Sequence, residues 1–97
     1  MARRKTGAQL IAAERERQKR KEGWTAEHDD EHEWSEMALA AVCYARNGGS
    51  KAATCPRDWP WDDLWWKPSN DRVRDLTKAG ALIAAEIDRL LRKEPRA

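Results

Sequence analysis

Phenylalanine is absent from the 97 residues, tyrosine occurs once and cysteine twice. No apolar run approaches the roughly 20 residues a membrane-spanning helix needs, so no membrane association is expected. The basic start Met1-Ala2-Arg3-Arg4-Lys5 is not followed by the apolar stretch of a secretory signal. Cys43 and Cys55 form no Cys-x-x-Cys pair, and two thiols make no disulfide framework. Two reduced cysteines in a cytoplasmic protein are the expectation. Charge of one sign is lacking as well. A formal net charge of +2 is far from the acidity of a nucleic-acid mimic and below the basicity of a dedicated DNA binder, so sequence-specific DNA binding is not expected. There is no internal repeat and no credible strand.

What is present is alanine, charge and tryptophan. The apolar 40% contains sixteen Ala and two Cys, leaving twenty-one large side chains, six of them Trp. Each indole can bury a large area, yet a single domain of this length has a thin core. A homo-oligomer that shares apolar area between chains is therefore expected. The charges lie in blocks: residues 1–22 carry a net +5, residues 23–37 a net −6 and residues 38–97 a net +3. Such blocks pair within a fold or recruit a partner.

Thr6-Gly7-Ala8-Gln9 is a capping box and predicts a helix over about 7–22, with Gly23 as its stop. Residues 1–6 are expected to be flexible. Trp24 follows as an anchor, and Glu27 to Glu33 is too acidic to be expected as a buried element. Ser35 predicts a second helix over 35–45, with Trp34 and Leu39 placed as a hydrophobic staple. Pro56, Pro60 and Pro68 break residues 47–69 into a loop, with a short helical turn expected near Trp61–Trp66 and Pro60 in its first turn. Val73, Leu76, Gly80, Ile83, Ile87 and Leu90, spaced 3, 4, 3, 4, 3, form the apolar stripe of a third helix over about 70–92. Ser69 or Asn70 is its expected cap, and Gly80 permits a close helix crossing. The fold class read from these signals is all-α: a small three-helix domain with the Trp/Pro-rich loop packed on its C-terminal helix.

Several constellations carry potential chemistry. Arg72, Asp75, Ala79 and Glu86 share one edge of the last helix at about 100° per residue. There they form either an internal ion-pair network or the polar floor of a cleft. His28-x-x-Glu31-His32 formally matches an H-x-x-E-H zinc pattern, but no third ligand is evident, and an acidic cap or ligand-facing turn is the preferred reading. Glu33/Glu36 and Asp71/Asp75 resemble the carboxylate pairs that hold Mg²⁺ in all-α nucleotide pyrophosphohydrolases, without repeating their spacing. The densest signal is Trp59-Pro60-Trp61-Asp62-Asp63-Leu64-Trp65-Trp66-Lys67-Pro68. Four indoles in eight residues exceed what a thin core hides, so Trp61, Trp65 or Trp66 is expected to present a stacking face. Lys67, Arg72, Arg74 and Lys78 lie close in sequence to meet phosphate. Trp24, His28 and Asp30 complete the expected ligand-binding set, with His28 and Asp30 on base or ribose edges. No catalytic residue, metal or cofactor is assigned.

On these residues the chain resembles a family of small proteins encoded in phages and prophages. The resemblance rests on Ala13-Glu14-Arg15-x-Arg17-Gln18, Glu22-Gly23-Trp24-Thr25-x-Glu27-His28-Asp29-Asp30-x-His32 and Glu36-Met37-Ala38. It continues through Trp59-Pro60-Trp61-Asp62, Trp65-Trp66-Lys67-Pro68 and Arg74-Asp75-Leu76-x-Lys78-Ala79-Gly80-Ala81-Leu82-Ile83. It spans about residues 10–92 and implies a phage accessory gene acting in the bacterial cytoplasm. A shorter likeness, from Glu14-Arg15 through Gly23-Trp24 to Asp29-Asp30, is to the ryanodine-receptor repeat domain and implies a nucleotide-type ligand. Together they lead to an expected function: a counter-defence protein that sequesters a nucleotide immune signal. The alternatives are an inhibitor of a host defence protein of anti-CRISPR or anti-restriction type, and a Mg²⁺-dependent nucleotide hydrolase.

Overall fold

The Thr6 hydroxyl accepts from the Gln9 amide at 3.2 Å, and the Gln9 side chain accepts from the Thr6 amide at 2.8 Å. This reciprocal cap opens helix α1, Gly7–Lys21, in a computed structural model that describes residues 5–94. The flexibility expected for residues 1–6 therefore falls mostly outside the described residues. Gly23, at φ +71°, turns the chain and lets the Trp24 amide donate to the Gln18 carbonyl at 3.1 Å. Helix α2, Ala26–Asp30, α3, Glu36–Asn47, a 3₁₀ turn, Asp63–Trp65, and α4, Arg72–Lys93, complete the order. No strand occurs among the described residues. The all-α reading holds, with the short α2 added to the three expected helices.

Helix α4 is the hub, with α1, α2 and α3 all packed on it. Met37, Ala40, Ala41 and Tyr44 of α3 meet Ala79, Leu82 and Ala85 of α4, and Trp59 and Trp66 close the core from the loop. Alanines on both helices let their backbones approach closely. Gly80 does the same for α1: a Cβ at this position would collide with the Cγ1 and Cδ1 atoms of Ile11. The close crossing expected at Gly80 is thus found, and its partner is α1.

The inward face of α4 differs from the expected stripe. Val73, Leu76, Ile83, Ile87 and Leu90 remain 42–56% exposed, whereas Asp75, Ala79, Ala81, Leu82, Ala85, Glu86 and Arg89 are buried. Small residues and paired charges face inward because each buried charge has a partner. Arg89 donates twice to Glu86, at 2.7 and 3.1 Å. Asp75, with no exposed surface, accepts from the Gly49 amide at 2.7 Å, the Ser69 amide at 3.0 Å and the Ser69 hydroxyl at 3.0 Å.

Three local expectations are corrected in the same way. The acidic segment does contain a buried group: Asp29 is fully enclosed because Arg15 donates to it at 3.1 Å and His28 Nδ1 lies 3.1 Å away. Ser35 sits at φ +65° and makes no side-chain cap; Glu36 instead accepts from the Trp34 amide, leaving Trp34 85% exposed, so the staple does not form. Asp71, not Ser69 or Asn70, caps α4 by accepting from the Val73 amide at 2.9 Å.

Ion pairs between helices do much of the joining. Glu14 on α1 accepts from Arg74 of α4 at 2.6 Å and from Arg17 at 2.9 and 3.0 Å. Burial pushes the Glu14 carboxyl upward, but the hydrogen bonds from Arg17 and Arg74 outweigh it and hold it below its ordinary value of 4.5. A carboxyl depressed in the fold stabilises it above the unfolded value, and that stability is lost as pH falls through the folded value. Urea melts are therefore expected to show stability falling as pH drops below about 4.5, with a shallower fall in Glu14→Gln. An equal slope in both proteins contradicts this role.

The same melts at neutral pH test the Asp75 cluster. Asp75→Ala strands buried donors and is expected to cost at least about 3 kcal/mol. Gly48→Ala places a Cβ 2.6 Å from both Asp75 Cβ and the Tyr44 carbonyl oxygen and is expected to cost about 1–3 kcal/mol.

Candidate functional site

The segment from Gly23 to His32 and the loop after α3 converge on one cleft. The Thr25 hydroxyl accepts from the His28 amide at 3.3 Å and starts α2. Its one and a half turns, with the His32 amide donating to the Asp29 carbonyl at 3.1 Å, put His28 and His32 side by side. Their rings meet edge-on at 5.0 Å between centroids. Trp24 stacks on His28 at 5.8 Å with planes 3° apart. From the loop, Trp61 lies 5.1 Å from His32 and 6.4 Å from Trp24. The four rings thus form a closed circuit.

The loop holds this arrangement through its own hydrogen bonds. Trp59 Nε1 donates to the Asp62 carbonyl and Trp66 Nε1 to the Ala53 carbonyl, both at 3.0 Å. The Asp62 carboxylate accepts from the Leu64 amide at 2.9 Å and sets the 3₁₀ turn. The Tyr44 hydroxyl accepts from the Lys67 amide at 3.1 Å, and burial pushes its phenol above the ordinary value, keeping it a neutral post at neutral pH. Trp59 packs against Tyr44, Trp61 and Trp66 at 5.2–5.5 Å, so the floor of the cleft is also the top of the core.

The resulting cavity of about 360 Å³ is lined by Trp24, His28, His32, Tyr44, Trp59, Trp61, Asp62, Trp65 and Leu82. It falls within the range of small-molecule sites, about 300–1,000 Å³. No lysine, arginine, serine, threonine or cysteine is among these residues.

Of the residues expected to bind a ligand, Trp24, His28, Trp61 and Trp65 line the cleft. Lys67 stands at its rim, with Nζ 5.4 Å from the centre of the half-exposed Trp65 ring. Trp66 is in the core against Tyr44, at 4.8 Å, and offers no open face. Arg74 is held by Glu14. Lys78 donates to the Lys67 carbonyl at 2.6 Å, and burial lowers its ammonium below the ordinary value. Arg72 is exposed and lies along Gly49. Asp30 pairs with Arg92 at 2.7 Å, beside a separate depression lined by Arg15, Thr25, Asp88 and Arg92 among others. Of these last four charges, Lys78 lies against a cleft residue, with Nζ 5.3 Å from the centre of the Tyr44 ring; none of the four is among the residues that line the cleft.

His32 and Asp62 join the site without having been assigned to it. The His28–His32 spacing was the available signal, and it places two rings in one wall. Among the described residues, no group of three or more His, Cys, Asp or Glu could hold a metal ion. Three of the four carboxylates that resemble a Mg²⁺ set have other partners: Asp71 caps α4, Asp75 takes loop donors, and Glu36 takes the Trp34 amide and lies 3.4 Å from His32. Cys43 and Cys55 are free thiols. No helix among the described residues is long and apolar enough to cross a membrane.

Comparison with protein-family models, curated proteins and solved structures gives no match.

The aromatic layer separates structural from exposed indoles. Trp59→Ala is expected to cost about 3–5 kcal/mol in a denaturant melt, whereas Trp34→Ala is expected to change stability by less than about 0.5 kcal/mol. Similar losses in both would contradict this assignment.

Proposed function

We propose that the chain is a non-enzymatic binding protein that captures a nucleotide-type small molecule, with the base held in the aromatic cleft. The observation that carries this reading is the wall of Trp24, His28, His32 and Trp61 continuing to the half-exposed Trp65. Flat faces held rigidly at several angles bind a flat heterocycle by stacking, worth about 1–3 kcal/mol per base. His28, His32 and Asp62 supply polar atoms for base edges. Lys67, with Nζ 5.4 Å from the centre of the Trp65 ring, meets the first phosphate.

The similarity to small phage and prophage proteins supports a biological setting for such capture: a phage accessory protein that withdraws a nucleotide signal from host defence. Trp34 and Leu64, 85% and 81% exposed, favour a second reading, in which a host defence protein docks on these side chains. Tryptophan is enriched at binding hot spots.

Calorimetry against nucleosides, mononucleotides, cyclic oligonucleotides and ADP-ribose derivatives tests the proposal. One-site binding by at least one member is expected, with Trp61→Ala and Trp65→Ala each weakening it about 10–100-fold. Lys67→Ala is expected to weaken nucleotides more than nucleosides, and Arg74→Ala to leave the ligand affinity unchanged. No heat with any member, alongside a stoichiometric host protein recovered on the immobilised chain, favours the second reading.

A further inference from the structure

The outward side of α4 has the composition of an interior. Val73, Leu76, Ile83, Ile87, Leu90 and Leu91 are each 41–56% exposed. At about 100° per residue they fall within a single sector of roughly 100°. Charged residues enter that sector only at its ends, Arg72 and Glu94. Helix α4 is therefore covered by α1 and α3 on its alanine-rich and ion-paired sides, while its most apolar side is left open on either side of Gly80, over which Ile11 of α1 packs. An amphipathic helix turns its apolar stripe toward a packing partner.

We infer that this seam is the interface between two copies of the chain, paired antiparallel along α4. Three observations select a second copy as the occupant. First, the 3, 4, 3, 4, 3 spacing over Val73 to Leu90 is the register with which helices pack at about 20° in coiled coils. It runs for about 25 Å. Second, the seam complements its own reverse. In an antiparallel pair Val73 faces Leu90 of the second copy, Leu76 faces Ile87 and Gly80 faces Ile83, so every layer is apolar, as a two-fold interface requires. The gap at Gly80 is filled from within the chain, because Ile11 of α1 occupies the place of its missing side chain.

Third, the area is of the right order. The six side chains leave on the order of 500 Å² of apolar surface per copy, at the upper end of what a monomer shows as a patch. With half-buried Leu10 and Ile11 alongside, the seam comes to roughly 600 Å² per partner, the lower end of standard interfaces.

Sedimentation velocity of the full chain at tens of micromolar tests the inference. The expected particle has twice the 11.2 kDa chain mass; a single-chain mass overturns it, whether or not another protein binds the seam. Because the seam residues are exposed within one chain, Val73→Lys and Leu90→Glu are each expected to give monomers with unchanged helical circular dichroism. A dimer that survives both changes overturns the seam. The double variant V73K/L90E sets a lysine against a glutamate at both ends of an antiparallel pair and is expected to restore the dimer. A parallel pair would instead oppose like charges, and a double variant that stays monomeric overturns the antiparallel arrangement.

Discussion

Both ends of the tryptophan loop are fastened to one buried carboxylate. Asp75, in the first turn of α4, takes the Gly49 amide from the start of the loop and the Ser69 amide and hydroxyl from its end. Asn70 adds a bond from the Lys51 amide at 2.8 Å. A loop of twenty residues would otherwise be costly to order. Fastened at the base, it needs only its indoles to fold down, and Trp59 and Trp66 do so over Tyr44. A charge without solvent is tolerable only when hydrogen-bonded this fully. Gly48 is part of the same solution, since any side chain there would press into Asp75.

The rest of the body follows a similar logic. With few large aliphatic residues turned inward, the helices are joined by enclosed ion pairs: Glu14 to Arg74 for α1 and α4, Arg15 to Asp29 for α1 and α2. Such pairs add specificity more readily than net stability, because desolvation offsets much of their attraction. Across the charge blocks, Arg15 of the basic first helix meets Asp29 of α2 and Asp88 of α4. The consequence for the site is that Arg74 and Lys78 serve the fold, and the cleft is aromatic rather than cationic.

Local signals were legible before any coordinates. The capping box at Thr6, the stop at Gly23, the proline-broken loop and the small residue at Gly80 each depend on neighbours a few positions away or on a single missing side chain. The inward face of α4 was not legible, because pattern reading assigns the core to Leu, Ile and Val, and here alanines and satisfied charges occupy it. Burial of Asp29 and Asp75 depends on partners 14 and 26 residues away, which no local spacing reveals. The exposure of Trp34 and Trp65 was readable because indoles in that number cannot all be hidden. The engagement of Arg74 was not, because it is answered by Glu14, 60 residues distant.

Hydrogen exchange at the Gly49 and Ser69 amides measures the fastening of the loop most directly. Both donate to Asp75, so both are expected to exchange as slowly as core amides of α4, and together. Exchange of either at the rate of an open chain, while α4 stays protected, would mean that the loop is not held by this carboxylate and that the cleft has no fixed wall.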